Sequence, residues 1–405
     1  MAKIKRAIIA GSIGLDIIPV FDETAAGTAN LFAQGKFNDM HGTRLYLGGC
    51  VGNTGIAMYK LGVPAKLISK VGDDLIGQVI RMILNDQKVP LEMKTVEGMP
   101  SSSTVVISPP KSDRVLLHSR GASQTFVADD LTEEMLAQAD HLHFAYPTAM
   151  KTLYTNEGRE LTAMFKKAKQ SGITISMDTS QPDPNSEPGR ADWKGILQRT
   201  LPYTDVFLPS LEELLFMLHR DNYENVMKKS AGKNPIDYVE LELIPQLAEE
   251  LLEMGAKIVV LKLGKKGLYL RTASKEKIES MGRATPENAE EWAERELLFS
   301  PYYTENIRST TGAGDNAIAG FLASFLRSDL PEHALAVASA NALRCIESYE
   351  TTDRTIHIEA LDEIIAMKPK QEEAADISES YWKKNKVNKA FYGRHDTRGQ
   401  SNRDA

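Results

Sequence analysis

The chain has 405 residues, 42% hydrophobic and 25% charged, enough to bury a sizeable core in one large domain or in two to three ordinary ones. Its formal net charge of −7 argues against a nucleic-acid partner held by phosphate neutralisation. No run of about 18 apolar residues is present to span a membrane, and two cysteines, Cys50 and Cys345, are too few for a disulfide scaffold or a structural zinc site and fit a reducing cytoplasm.

In chain order, the short apolar run Ala7–Ala10 ends at Gly11 and reads as a first strand; a signal peptide needs a longer apolar stretch and a small-residue cleavage site. Asn53–Leu61 has helical spacing, Lys66–Val71 is a strand candidate, and Leu75–Asn85 is an amphipathic helix. Thr104–Ser108 and Val115–His118 read as strands around a Pro-Pro turn. His141–Tyr146, Ile173–Asp178, Val206–Leu208 and Ile258–Lys262 are short β-rich runs, separated by helical stretches at Glu157–Gln170, Leu211–His219 and Ile244–Met254. Strands alternating with helices predict an α/β fold on a mainly parallel central sheet flanked by helices. Strands within about 17–47 and 95–120 lack clear intervening helices and predict a small β-sheet appendage. The polar segment Arg220–Tyr238 reads as an insertion, and residues 369–405 as a charged tail. A solvated or frayed terminus is the plain expectation for that tail, although Tyr381, Trp382, Phe391 and Tyr392 suggest that part of it docks.

The strongest chemical signal is Ser309-Thr310-Thr311-Gly312-Ala313-Gly314-Asp315, followed by the apolar helix-like run Ala317–Phe325. The first N–H groups of a helix have no partner within it, and the helix dipole favours negative charge there. Gly312, Ala313 and Gly314 leave those groups accessible, as an anion hole for a phosphoryl group requires. Asp315 beside such a hole makes sense as a base for an attacking hydroxyl. A Gly-rich turn with an ordinary first-turn aspartate is the competing reading. Upstream, Gly48-Gly49-Cys50-Val51-Gly52-Asn53 pairs glycines that admit a ligand with an asparagine able to donate to and accept from sugar hydroxyls. The same residues also suit a strand-to-helix turn capped by Asn53.

Together these segments resemble the ribokinase-like carbohydrate kinases, the phosphofructokinase-B family, over roughly residues 5 to 360. Val71-Gly72-Asp73-Asp74-Leu75-Ile76-Gly77 is similar to that family's V-G-D-D-x-x-G, and Gly11-Ser12-Ile13-Gly14-Leu15-Asp16 to its G-x-x-x-x-D. The resemblance implies a kinase domain over 1–368, with the β appendage as a lid over the sugar. It implies Asp315 as catalytic base, Gly312, Ala313 and Gly314 as anion hole, and Asp16, Gly48, Gly49 and Asn53 as sugar-binding residues. Lys262, Gly264 and Gly267, in the family's K-x-G-x-x-G turn, would lie beside the nucleotide. Glu213, the glutamate of N-x-x-E, would act on Mg²⁺ through water. ATP and Mg²⁺ are the implied cofactors, with a monovalent cation such as K⁺ a further candidate, a small-molecule sugar the substrate and a homodimer a candidate assembly.

The chain departs from the pattern at Ser210, where N-x-x-E has asparagine, at Gly55, where a small residue with a Cβ is usual, and at Ser309, where aspartate is common. A sugar-phosphate acceptor would need added cations; Arg44, Lys36 and Arg120 are candidates. No Walker-type G-x-x-x-x-G-K-[ST] occurs, and Gly11-x-x-Gly14 lacks the third spaced glycine of a dinucleotide turn. Asp178 reads equally as a cleft residue at a strand end and as a loop aspartate. His141 and His143 read as structural histidines, and Cys50 as a small residue filling a turn, since no partner base is identifiable. The expected activity is ATP-dependent phosphorylation of a hydroxymethyl group. A nucleoside kinase of the same superfamily, a silent sugar-binding regulator and a nicotinamide-dependent oxidoreductase are the alternatives.

Overall fold

Alternating apolar strands and amphipathic helices build a large twisted sheet with helices on both faces and a second, smaller sheet beside it. The computed structural model describes residues 4–22, 31, 34–109, 115–240, 242–372 and 380–398. In chain order the strands are β1 (Ala7–Gly11), β2 (Gly14–Pro19), β3 (Thr43–Gly48), β4 (Ala65–Gly72), β5 (Leu91–Val96), β6 (Ser103–Ile107), β7 (Val115–Ser119) and β8 (His141–Ala145). They continue as β9 (Thr174–Met177), β10 (Val206–Phe207), β11 (Ile258–Lys262), β12 (Leu268–Thr272), β13 (Glu296–Phe299), β14 (Lys383–Lys384) and β15 (Phe391–Tyr392).

The large sheet runs β14-β15-β13-β12-β11-β10-β9-β8-β1-β4-β5, parallel from β11 to β5 and antiparallel at the other end. Successive residues of a strand point to opposite faces, so a strand covered on both sides is apolar throughout. In β1, Ala7 and Ile9 enter one core while Ile8 and Ala10 enter the other. The helix Ala313–Leu326 lies inside the molecule, and Trp292 packs edge-on against its Phe321 and Phe325 at centroid distances of 5.9 and 5.3 Å.

The small sheet has the order β3-β2-β6-β7 and supplies the lid. Strands β6 and β7 lie within the expected lid region 95–120, while β5, which ends at Val96, pairs with β4 at the edge of the large sheet. The Pro-Pro turn between β6 and β7 lies partly outside the described residues. The expected insertion is a helix, Arg220–Ser230, followed by the short turn Pro235–Tyr238. It packs on the body through Ile236, which is buried, and through Arg220 stacked 3.6 Å from the Phe216 ring.

The C-terminal segment corrects the plain expectation of a solvated tail. Strands β14 and β15 extend the large sheet beyond β13. Arg295 on the preceding turn is 1% exposed; its Nε meets Asp396 at 2.9 Å, and Glu332 lies against its Nη2. The Tyr392 hydroxyl donates to Glu332 at 2.7 Å, and Tyr381 and Tyr269 both donate to Glu296. A cavity of about 590 Å³ lies under this segment, between Tyr392, Asn388 and the helix Pro331–Ile346. It shares no residue with the motifs singled out above.

Candidate active site

Ligands of open α/β sheets gather where the parallel strands end. Strand β1 ends at Gly11, β8 leads into Tyr146, β9 into Asp178, β10 into Ser210 and β11 ends at Lys262. The motif residues sit on this edge.

The helix Ala313–Leu326 opens from Gly312, whose φ of +77° suits glycine. A Cβ there would stand 2.6 Å from Thr351 Cγ2. Asn316 N–H closes the first helical bond, onto Gly312 O at 2.9 Å, so the amides of Gly314 and Asp315 precede it; the Ala313 N–H, expected in the anion hole, instead donates to Thr310 O at 3.3 Å and closes the turn. Asn316 also fastens this turn from below. Its Nδ2 donates to Gly312 O at 3.0 Å and Thr351 O at 2.8 Å, and its Oδ1 accepts from Asn341 and Thr355.

Asp315 is 8% exposed and accepts from three side chains. Asn53 Nδ2 donates to Oδ2 at 2.9 Å and Thr54 Oγ1 to Oδ1 at 3.0 Å; the Tyr146 hydroxyl also donates to Oδ1. Burial raises the Asp315 pKa, while the Tyr146, Asn53 and Thr54 donors and the Lys262 charge pull against it without cancelling it. Burial and the neighbouring Asp315 push the Tyr146 hydroxyl well above its usual range, so it stays a proton donor. Asn53 is committed at both ends, since its Oδ1 accepts from Thr351 at 2.9 Å. One N–H and one lone pair of its amide remain for a ligand.

Lys262 reaches past the Gly264 turn to the helix start. Its Nζ pairs with buried Asp178 at 2.7 Å and lies 3.8 Å from where a Cβ on Gly314 would stand. Burial works against its charge, but Asp178, Glu213 and Asp315 outweigh that and raise its pKa. A buried ammonium next to the positive end of a helix is an arrangement that favours an anion between them. Asp178, which the sequence left open, thus faces the cleft edge.

Glu213 and Ser210 form a reciprocal cap: Glu213 N–H donates to Ser210 Oγ at 3.3 Å and Ser210 N–H to Glu213 Oε2 at 2.9 Å. Thr179 also donates to Oε2, at 2.9 Å, which leaves Oε1 for a metal-bound water. The serine that departs from N-x-x-E is therefore occupied in starting its helix. No group of three or more His, Cys, Asp or Glu side chains placed to hold a metal occurs among the described residues. Gly264 and Gly267 form an exposed-to-buried turn, tied to the insertion by Lys265 and Asp237 at 2.8 Å.

On the lid side, the Asp16 carboxylate lies 2.7 Å from where a Cβ on Gly48 would stand, so only glycine leaves it room. Gly49 turns the chain at φ +77° toward Cys50, whose N–H reaches Ser12 Oγ at 3.4 Å. Burial drives the Cys50 thiol far above its usual range, consistent with a turn filler. His141 and His143 are buried, and both share the Ser176 hydroxyl, at 2.7 and 2.8 Å. The structure thus brings Asp315, Gly312, Gly314, Asn53, Lys262 and Glu213 to one edge, with Asp16, Gly48 and Gly49 on its lid side. Sequence reasoning missed Tyr146, Thr54, Thr351 and Asn316. Asn316 follows Asp315 directly and Thr54 follows Asn53; Tyr146 and Thr351 carry no motif.

The fold and the order of these segments define a ribokinase-like α/β protein with a small-sheet lid. The pattern described as pfkB family carbohydrate kinase matches residues 16–357, and the chain belongs to that family. The ATP-dependent ribose-1-phosphate kinase of Halopiger xanaduensis is 23% identical over 83% of this chain and 90% of its own length. The structure of Arabidopsis thaliana ribokinase complexed with ribose and ATP matches with a TM-score of 0.65 at 18% identity, covering 90% of this chain and 99% of that one. A putative ribokinase II from E. coli in complex with ATP and Mg²⁺ matches with the same TM-score at 19% identity, covering 90% and 99%.

Proposed function

We propose that this sugar kinase transfers the γ-phosphoryl group of ATP to a hydroxymethyl group of a sugar or sugar derivative, with Asp315 as the base. The observation that carries the reading is the hydrogen bond from Asn53 Nδ2 to Asp315 Oδ2, which joins two motifs 262 residues apart at a helix N-terminus. The named relatives support ATP and a sugar as the substrates.

In this reading Asp315 takes the proton of the attacking hydroxyl, which is needed only as the new P–O bond forms. The Gly312 and Gly314 amides and the Lys262 ammonium face the charge on the transferring oxygens, while the Ala313 N–H is taken by the Thr310 carbonyl. Asp178 holds Lys262 in place, and Tyr146 and Thr54 hold the Asp315 oxygens. Asp16, Gly48, Gly49 and Asn53 grip the acceptor, while the turn at Gly264 and Gly267 lies by the nucleotide. Glu213 Oε1 fits a water-mediated contact to Mg²⁺ bound with ATP, and that ion would supply charge neutralisation at the phosphates. The lid closes over the sugar and excludes water.

ATP consumption measured across a panel of sugars, sugar acids, sugar phosphates and nucleosides tests the reading. Turnover that depends on a hydroxymethyl-bearing sugar is expected. Turnover with nucleosides alone, or with no acceptor in the panel, would overturn it.

A further inference from the structure

The cavity of about 590 Å³ under the C-terminal segment takes no part in the reading above. Its walls come from the helix Pro331–Ile346, the end of the helix Ile358–Ala366 and the hairpin of β14 and β15. Leu330, Ala336, Ile365 and Val387 give it an apolar lining. Leu330 and Val387 are 45% and 79% exposed, so part of that lining meets water. Small-ligand sites are clefts of about 300–1,000 Å³ with mostly apolar walls and a few placed polar groups.

The polar groups of this wall differ in how far they are satisfied. Glu332 accepts from the Tyr392 hydroxyl at 2.7 Å and lies against Arg295. That hydroxyl accepts in turn from Asn388 Nδ2 at 2.8 Å. Glu291 meets Arg398 at 2.7 Å, and His333 meets Asp362 at 2.9 Å. Tyr302 differs. It is 7% exposed, it lines the cavity, and its hydroxyl has no hydrogen-bond partner among the described residues. Burial alone pushes that hydroxyl up to about 12, so it stays a proton donor. A polar side chain buried to this degree is normally paired.

Both acids of the wall are thus matched by arginines, whereas two lysines are not matched by acids. The Lys368 ammonium has no partner among the described residues. Lys389 Nζ donates only to the carbonyls of Lys368 and Pro369, at 3.3 Å each, which leaves one of its three N–H groups. Ammonium groups without a counter-charge beside an apolar lining favour an anion that carries an apolar body. The geometry points to a binding site here for a small amphipathic anion. Its apolar or aromatic body lies against Leu330, Ala336, Ile365 and Val387, its carboxylate or phosphate meets Lys368 and Lys389, and an acceptor atom takes the Tyr302 hydroxyl. The site shares no residue with the kinase reading and goes beyond it.

Calorimetric titration of the full chain tests the inference, with Mg²⁺ and a non-hydrolysable ATP analogue in excess to occupy any nucleotide site. Three probes share one aromatic body: phenylacetate, phenyl phosphate and the neutral 2-phenylethanol. One site per chain is expected, with at least one anion bound about tenfold more tightly than 2-phenylethanol. Which anion binds better distinguishes a carboxylate ligand from a phosphate. Lys368→Glu, at an exposed position, is expected to weaken both anions by about tenfold and to leave 2-phenylethanol unchanged. Tyr302→Phe is expected to weaken the preferred anion by about three- to tenfold. Ala336→Phe fills the cavity and is expected to abolish binding of all three probes; where that variant does not fold, Lys368→Glu decides alone. Equal affinity for anions and 2-phenylethanol, anion binding indifferent to Lys368→Glu, binding that survives in folded Ala336→Phe, or no binding of any probe overturns the inference.

Discussion

Asp315 gathers three hydrogen-bond donors while buried, and these two facts pull its pKa in opposite directions. Burial dominates, so the carboxyl sits above the ordinary aspartate range, with Tyr146 the foremost of the groups holding it down. Removing that donor withdraws support from the charged form, and the pKa rises further. For Tyr146→Phe we therefore expect the acid limb of the kcat/KM–pH profile to move to higher pH; an unmoved limb, or one displaced to lower pH, would contradict the account. The motif residues were legible because a carboxylate next to small residues at a helix start is a local pattern. Tyr146 was not, since nothing in His141–Tyr146 distinguishes a tyrosine that leaves the sheet toward a carboxylate from one that fills the core. Lys262 was legible as part of a turn, but its ion pair with Asp178 joins the ends of two strands, β11 and β9, with β10 between them.

At the scale of elements, the alternation of strands and helices was readable at β1, β8, β9, β10 and β11 because each of those strands is almost wholly buried. The antiparallel end was harder to read. Strands β14 and β15 are two residues each, and the charges around them resemble those of a solvated tail. What keeps them in place is distant in sequence: Arg295 pairs with Asp396, across 101 residues, and with Glu332. Neither member of the Arg295–Asp396 pair has water to fall back on, with side-chain exposures of 1% and 0%. Breaking a buried pair from one side costs about 3–5 kcal/mol, and the Glu332 carboxylate that stays on Arg295 offsets part of it. Urea unfolding of Asp396→Ala should show a loss of that order; a loss below about 1 kcal/mol would mean that the segment lies on the sheet without anchoring it.

Across the whole molecule, the large sheet fixes the helix start at Asp315, while the four-stranded sheet carries Asp16 and Gly48 on a separate unit. The sequence placed the lid strands in the right regions, because they lack intervening helices; which sheet takes β5 depends on a tertiary choice that its composition does not reveal. In the proposed reading, a site divided between body and lid is completed when the acceptor brings the two together. ATP hydrolysis without acceptor should therefore be slow and rise on sugar addition, and fast acceptor-independent hydrolysis would contradict a closing lid. The central claim is that Asp315 removes the acceptor proton beside a helix N-terminus that binds phosphate. It is tested most directly by measuring ATP affinity and phosphoryl-transfer rate side by side in Asp315→Asn. The account predicts that ATP binding is kept while transfer falls by about 10²–10⁴-fold; near-normal turnover in that variant would contradict it.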